Sequence, residues 1–287
     1  MGDFEQLNAR RKKIANLMYI GFAVLAFGVI LFLALSEVPG IGLMVAVASV
    51  IIMIVAGIKF STLNKEFKSK YLPNLIEEIL PGSNFDPRGG ISKERVYSSN
   101  FLKKADRFTT GDLIIGKIDD VSFATCDLKL EERHVRHTKN GTQVYYVAYF
   151  TGRFFEFDFP KSFIGQVITT EQAITTWFSR FKKIELESID YNAKFKTYTD
   201  NEHSAFYILT PHLMESIMNL ERRNPGSIAL SFHGSTLSVG INNSRDTFEL
   251  NMFKEINPEV INSYKRDLLV IKEIVQELKL NRNIFKN

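Results

Sequence analysis

Four groups of residues have types and spacing that could do chemistry. Gly111–Ile118 (GDLIIGKI) nearly spells a phosphate-binding loop. That loop needs Ser or Thr after its lysine to hold magnesium, and Ile118 cannot ligate a metal. Its interior reads as strand, so a nucleotide site is not expected there. His134 and His137, with Glu131 and Glu132 nearby, have the composition of a metal site. Residues three apart share a face on a helix but fall on opposite faces of a strand, and this segment adjoins a hairpin signal. A charged hairpin tip is the expected reading. Cys126 could be a nucleophile only with a depressed pKa and a nearby base; its strand-like surroundings predict a buried structural thiol instead. Glu156 and Asp158 share one strand face and could act as paired carboxylates or a cation site, with a solvated face the simpler expectation. No Gly-x-Ser-x-Gly elbow, His-Glu-x-x-His motif or Cys/His zinc spacing occurs. No catalytic residue, metal or cofactor is therefore assigned.

The elements that would position these residues are mostly strands. Val121–Thr138 and Thr142–Phe150 flank Asn140-Gly141, a strong hairpin signal because both turn positions need positive φ. Thr151-Gly152-Arg153 predicts the next turn. Phe155, Phe157 and Phe159 then alternate with Glu156 and Asp158, one face oily and one wet. This predicts a three-stranded antiparallel meander, preceded by a strand at Leu113–Ile118. Ser227–His233 and Thr236–Ile241 predict a further hairpin about Gly234-Ser235. Two helices carry clear starts. Thr210-Pro211 places a cap before proline at the first helical position, with the helix running to about Arg222. Asn257-Pro258 repeats the device, and Val260, Tyr264, Leu268, Ile271, Val275 and Leu278 form an apolar stripe at helical spacing.

The N-terminal part has a different character. Ile14–Leu35 and Ile41–Ile58 contain no charged residue. At 1.5 Å per residue they span roughly 33 Å and roughly 27 Å, enough for a hydrocarbon core of about 30 Å. Pro39-Gly40 in a short connection makes them an antiparallel transmembrane hairpin. Arg10, Arg11, Lys12 and Lys13 precede the first span, and Lys59 follows the second. The loop between carries one acid and no base. The positive-inside rule then places both termini and the soluble domain in the cytoplasm, at the inner membrane. These juxtamembrane cations are the expected lipid-headgroup contacts. From Ser61 to Leu80, Phe67, Tyr71, Leu75 and Ile79 recur every fourth residue as a helical stalk, with a kink or break expected at Pro73.

Beyond residue 58 the chain holds 32 basic and 29 acidic residues, so no broad basic footprint for nucleic acid exists. The expected organisation is a transmembrane hairpin with a basic tail (1–60), a stalk and linker (61–90) and an α+β domain (91–287), its sheet mainly antiparallel with packed helices. Tyr145, Tyr146 and Tyr149, together with Trp177, Phe178 and Phe181, could line a peptide or lipid groove or form core.

Several segments in order resemble a bacterial family of unknown function, DUF3137: Gly152–Phe159 (GRFFEFDF), Arg180–Glu187 (RFKKIELE), Phe195–Asp200 (FKTYTD), Tyr207–Met214 (YILTPHLM) and Ser231–Ser235 (SFHGS). The resemblance runs from about Asp112 to Leu280. It implies a preceding pair of transmembrane helices and supplies no activity or catalytic residues. The function expected is a membrane-tethered adaptor binding a protein partner or anionic lipid headgroups, with Tyr145, Tyr149, Glu156 and Asp158 as the interaction face. A membrane-bound hydrolase or transferase is the rival, and a homo-oligomer built through the hairpin is a third reading.

Overall fold

The structure, a computed structural model, describes residues 2–34, 39–138, 141–171 and 180–278. Trp177 and Phe178, most of the loop between the first two helices, and Asn140 of the expected turn lie outside them. The chain divides into two compact units, 1–74 with 248–264, and 75–247 with 265–287.

The first unit is built on α1 (Gly2–Ala34) and α2 (Pro39–Glu66), which pack against each other. Both are long and apolar enough to cross a membrane, yet little of their apolar length is buried. Their packing inverts that of a soluble protein. Small residues face inward: Gly21 and Gly28 on α1, and Gly42, Ser49 and Ala56 at seven-residue spacing on α2. A Cβ added at Gly42 would sit 2.5 Å from the Phe32 amide nitrogen, and one at Gly28 would sit 3.0 Å from that of Ala46. Small residues thus let the backbones approach closely. Phe27, Ile30, Leu33, Leu43, Met44, Ile54 and Ile58 point outward. At the polar ends of the helices, Arg10 pairs with Glu66 at 2.8 Å, and Phe248–Tyr264 packs through Arg11, Asn64 and Lys68.

The helical path continues as one π-helical turn (Phe67–Tyr71) and then α3 (Leu72–Ile79). Leu72 donates its backbone N–H to the Phe67 carbonyl, five residues back. Pro73 has no N–H and its ring crowds the preceding turn, so a widened turn before it is the physical remedy. The extra residue shifts the apolar stripe. Beyond Phe67 the fully buried positions are Leu72, Ile76 and Leu80, each one later than a strict four-residue repeat predicts.

In the second unit, β1 (Asn84–Asp86) and α4 (Lys93–Ser98) lead into β2 (Arg107–Ile118), β3 (Val121–Thr138) and β4 (Gly141–Thr170). Then come β5 (Lys182–Ile184), α5 (Ile189–Lys194), β6 (Lys196–Thr199), α6 (Glu202–Ile208), α7 (Pro211–Arg223), β7 (Ser227–Asn242) and α8 (Pro258–Glu277), which ends in this unit. All pairings are antiparallel, in the order β1-β2-β3-β4-β6-β5, with β7 on β4. The α+β expectation holds. Thr210 caps α7 by accepting from the Leu213 amide, with Pro211 at the first turn, as its sequence predicts. The α8 stripe is buried at Tyr264, Leu268, Ile271, Val275 and Leu278.

Two expected turns are absent. No break occurs at Thr151-Gly152-Arg153, and β4 is one strand of 30 residues. It pairs with β3 up to Asp158 and with β6 from Val167, and β7 runs along its other edge from Gly152 to Thr170. Nor does the chain reverse at Gly234-Ser235. Gly234 lies in the left-handed region (φ +57°) as an irregularity inside β7, itself opposite Phe163, with His233 before it and Thr236 after it paired to β4.

The central strands are buried on both faces. Ala124, Cys126, Leu128, Leu130 and Phe154 pack with Ile91, Val96, Phe101 and Leu102 from the α4 region. Phe123, Phe155, Phe157, Leu237, Val239 and Ile241 are buried on the other face. The wet face expected along β4 is therefore covered at Glu156 (5% exposed) and open only at Asp158. The side chain of Phe159 lies outside the description.

Candidate functional site

Beyond Glu131, β3 has no further pairing with β2, and before Gly152 β4 has none with β7. Residues 131–138 and 141–148 therefore form a two-stranded ribbon extending past the sheet. Its strands pair Thr138 with Gly141. One face carries Arg133 opposite Tyr146 and Val135 opposite Val144. The other carries His134 opposite Tyr145 and Glu132 opposite Val147. Val135, Val144, Tyr145 and Val147 are all exposed, Tyr145 at 48%. The Arg107 guanidinium lies 3.3 Å over the Tyr146 ring, and His134 stacks on Tyr145 at 5.4 Å between centroids. Arg136, Gln143, Val144 and Tyr145 line an open depression near the tip.

Tyr149, at the root of the ribbon, is half-buried and its hydroxyl donates to the Lys103 carbonyl. Burial pushes its phenol above the usual tyrosine range, so it anchors the ribbon rather than presenting a contact. Of the four residues of the expected interaction face, the structure brings only Tyr145 to the ribbon surface. Asp158 is exposed elsewhere, accepting from the Thr236 hydroxyl at 3.1 Å. Glu156 is buried against Arg95 of α4.

The second concentration of chemistry is internal, and motif reading does not reveal it. Asp127 and Arg153 are directly opposed across β3 and β4. Arg153 Nε lies 3.7 Å from Asp127 and donates to the Thr125 hydroxyl at 3.1 Å, while Nη2 reaches the Asp112 carbonyl at 3.4 Å. Asp112 sits in the left-handed region (φ +54°) where the β2–β3 register shifts. Asp112, Asp127 and Asp246 each offer a carboxylate oxygen within 4.8 Å of the others, a hard-oxygen set of the kind that suits magnesium or calcium. Arg153 already supplies a cation to this set. Register counted from the hairpin would set Asp127 opposite Gly152; the irregularity between Leu130 and Glu131 brings Arg153 there instead, and Asp246 carries no local signal.

The residues first considered for catalysis are placed apart. Gly111–Ile118 is strand, not loop. His134 is partly solvated, with Nε2 3.9 Å from Glu132. Cys126 is fully buried, and burial pushes its thiol up to about 12, so it keeps its proton at neutral pH. In the folded protein Cys126 should react with a soluble disulfide reagent only after denaturant is added; immediate labelling would contradict this burial. Among the basic residues flanking the spans, Lys12, Lys13 and Lys59 are exposed. Arg10 is engaged with Glu66. Arg11 is 7% exposed and bonded to Asn8 and the Met252 carbonyl.

Burial raises the pKa of Glu156 despite Arg95, and that of Asp267 despite Arg245. A carboxyl group whose folded pKa exceeds its unfolded value binds its proton more tightly in the native state. Its contribution is present at low pH and lost as pH rises through the folded pKa. Wild type should therefore lose stability from this source on going from about pH 4 upward. Glu156→Gln with Asp267→Asn should flatten the slope, read as denaturant midpoints across that range. An unchanged slope would show that neither carboxyl titrates abnormally.

Fold and site together define an α+β domain in one chain with two long apolar N-terminal helices. The family model described as a protein of unknown function (DUF3137) matches residues 148–280, in accord with the resemblance read from the sequence. The match leaves the helices and nearly all of the ribbon outside it. No curated protein matches. Among solved structures, the crystal structure of the mycobacterial trehalose monomycolate transport factor A, TtfA, is similar at 7% identity and a TM-score of 0.38. The likeness covers 72% of this chain and 96% of that one.

Proposed function

We propose that this chain is a membrane-anchored binding module, with α1 and α2 crossing the bilayer and the second unit acting as a cytoplasmic adaptor through its β-ribbon. The observation that carries the anchor is the inverted packing of the hairpin: small residues at the seam and large apolar ones outward. In water such a surface would be an aggregation site, whereas in lipid it is the ordinary solution. The cytoplasmic side follows from the basic residues at both hairpin ends and the uncharged-to-acidic turn between them. The binding role is supported by a ribbon with two exposed faces, which adds little to the core. The enzymatic alternative loses its best residues, since Cys126 is protonated and buried and His134 is partly solvated.

Two measurements test this reading. The protein should remain in the pellet after alkaline carbonate washing, and Lys12→Cys should be labelled by an impermeant maleimide only after inner-membrane vesicles are inverted or opened. Release into the supernatant would remove the anchor, and labelling from outside would reverse the orientation.

A further inference from the structure

We infer that the surface the ribbon engages is an anionic lipid bilayer, an inference that rests on the binding role proposed above. The ribbon's acids, Glu131 and Glu132, sit at its root and pair with Lys129 and Lys103. From Arg133 through the tip and back to Phe155 the sequence has no Asp or Glu, while Arg133, Arg136 and Lys139 are cationic. Among the described residues Arg133 and Arg136 are exposed, one on each face of the ribbon. Apolar groups are likewise split between the faces, Val135 with Val144 on one and Tyr145 with Val147 on the other.

A folded protein docking on one face would leave the other face's apolar side chains in water. The interfacial layer of a bilayer surrounds a ribbon on both sides. It also suits these side chains, since arginine and tyrosine place an apolar stem or ring inward and a polar end at the headgroups. Cationic residues add attraction to anionic lipid, screened by salt. Attachment in the same chain as two membrane helices converts the contact into an intramolecular event, so a weak contact suffices.

The full chain carrying Thr142→Cys labelled with an environment-sensitive fluorophore tests this, because buried Cys126 stays unlabelled. In nanodiscs of phosphatidylcholine with phosphatidylglycerol, the emission should shift to the blue and be quenched by nitroxide-bearing lipid. In phosphatidylcholine alone both effects should be weak. Adding Arg133→Gln and Arg136→Gln should lower the ratio of lipid-bound to free ribbon roughly 30-fold, from about 1 kcal/mol per basic side chain. Equal emission in the two lipid mixtures, or no change in the double variant, overturns the inference.

A photo-crosslinking residue replacing Tyr145 separates this from the broader reading. Lipid adducts in source-cell membranes support the inference. A discrete protein adduct without lipid overturns it and leaves the binding module standing. Neither adduct overturns both.

Discussion

Replacing Arg153 with methionine should destabilise the second unit by about 3–5 kcal/mol, the range for removing one partner from a buried charge network. Arg153 is 4% exposed, and the Asp112 and Asp127 carboxylates near it are also largely withdrawn from water. Methionine fills much of the same volume, so the cost is not chiefly a cavity. It is the cost of leaving aspartates gathered within 4.8 Å without the guanidinium that lies 3.7 Å from Asp127 and bonds the Asp112 carbonyl. For a domain of this size the thermal midpoint should fall by roughly 10 °C. Arg153→Lys should be intermediate, because an ammonium keeps the charge but cannot reach Thr125, Asp127 and the Asp112 carbonyl as a planar fork does. Arg153→Met with Asp127→Asn should recover part of the loss. Thermal melts of the detergent-solubilised full chain decide it. A methionine variant within about 1 kcal/mol of wild type would mean the network adds little.

That network also marks what was legible in the sequence. Local signals served well: β3 occupies the expected Val121–Thr138, and the proline-started helices begin where their caps place them. The errors came where one signal has two physical causes. Glycine between polar residues usually means a turn, but at residues 152 and 234 it sits inside a continuous strand. Alternation along Phe155–Asp158 implied a wet face because periodicity sees only its own strand. The cover over Glu156 comes from α4, some 60 residues earlier in the chain. The stalk stripe slipped by one residue because a proline was answered with a π-helical turn rather than a break. Of the candidate site, Tyr145 and the histidine-bearing hairpin were readable, since exposure on a β-ribbon follows from composition. The two-sidedness of the ribbon was not, because it depends on where β2 and β7 stop.

Gly152→Ala should be more damaging than its single methyl suggests. Gly152 pairs with Leu128 on one side and Asn242 on the other, in the middle of the sheet. A Cβ there would overlap the Ile241 carbonyl oxygen, with the Ile241 carbonyl carbon at 3.1 Å and Asn242 Cα at 3.2 Å. These are backbone atoms of a paired strand, so no rotamer change relieves the overlap. Either β7 moves away from β4 or the β3–β4 ladder bends. Overpacking a core typically costs 1–3 kcal/mol, and a clash with backbone belongs at about 3 kcal/mol or above. Gly234→Ala is the control that isolates the cause. There the residue has φ of +57°, but nothing lies within 4 Å of the added Cβ. Only the left-handed backbone is penalised, at about 1 kcal/mol. The two variants should therefore separate by roughly 2 kcal/mol in denaturant midpoints. They should also differ in kind, with amide protection along β4 and β7 falling for Gly152→Ala and staying near wild type for Gly234→Ala. If the two variants proved equally mild, the close approach of Ile241 to Gly152 would not be what holds β7 on the long strand.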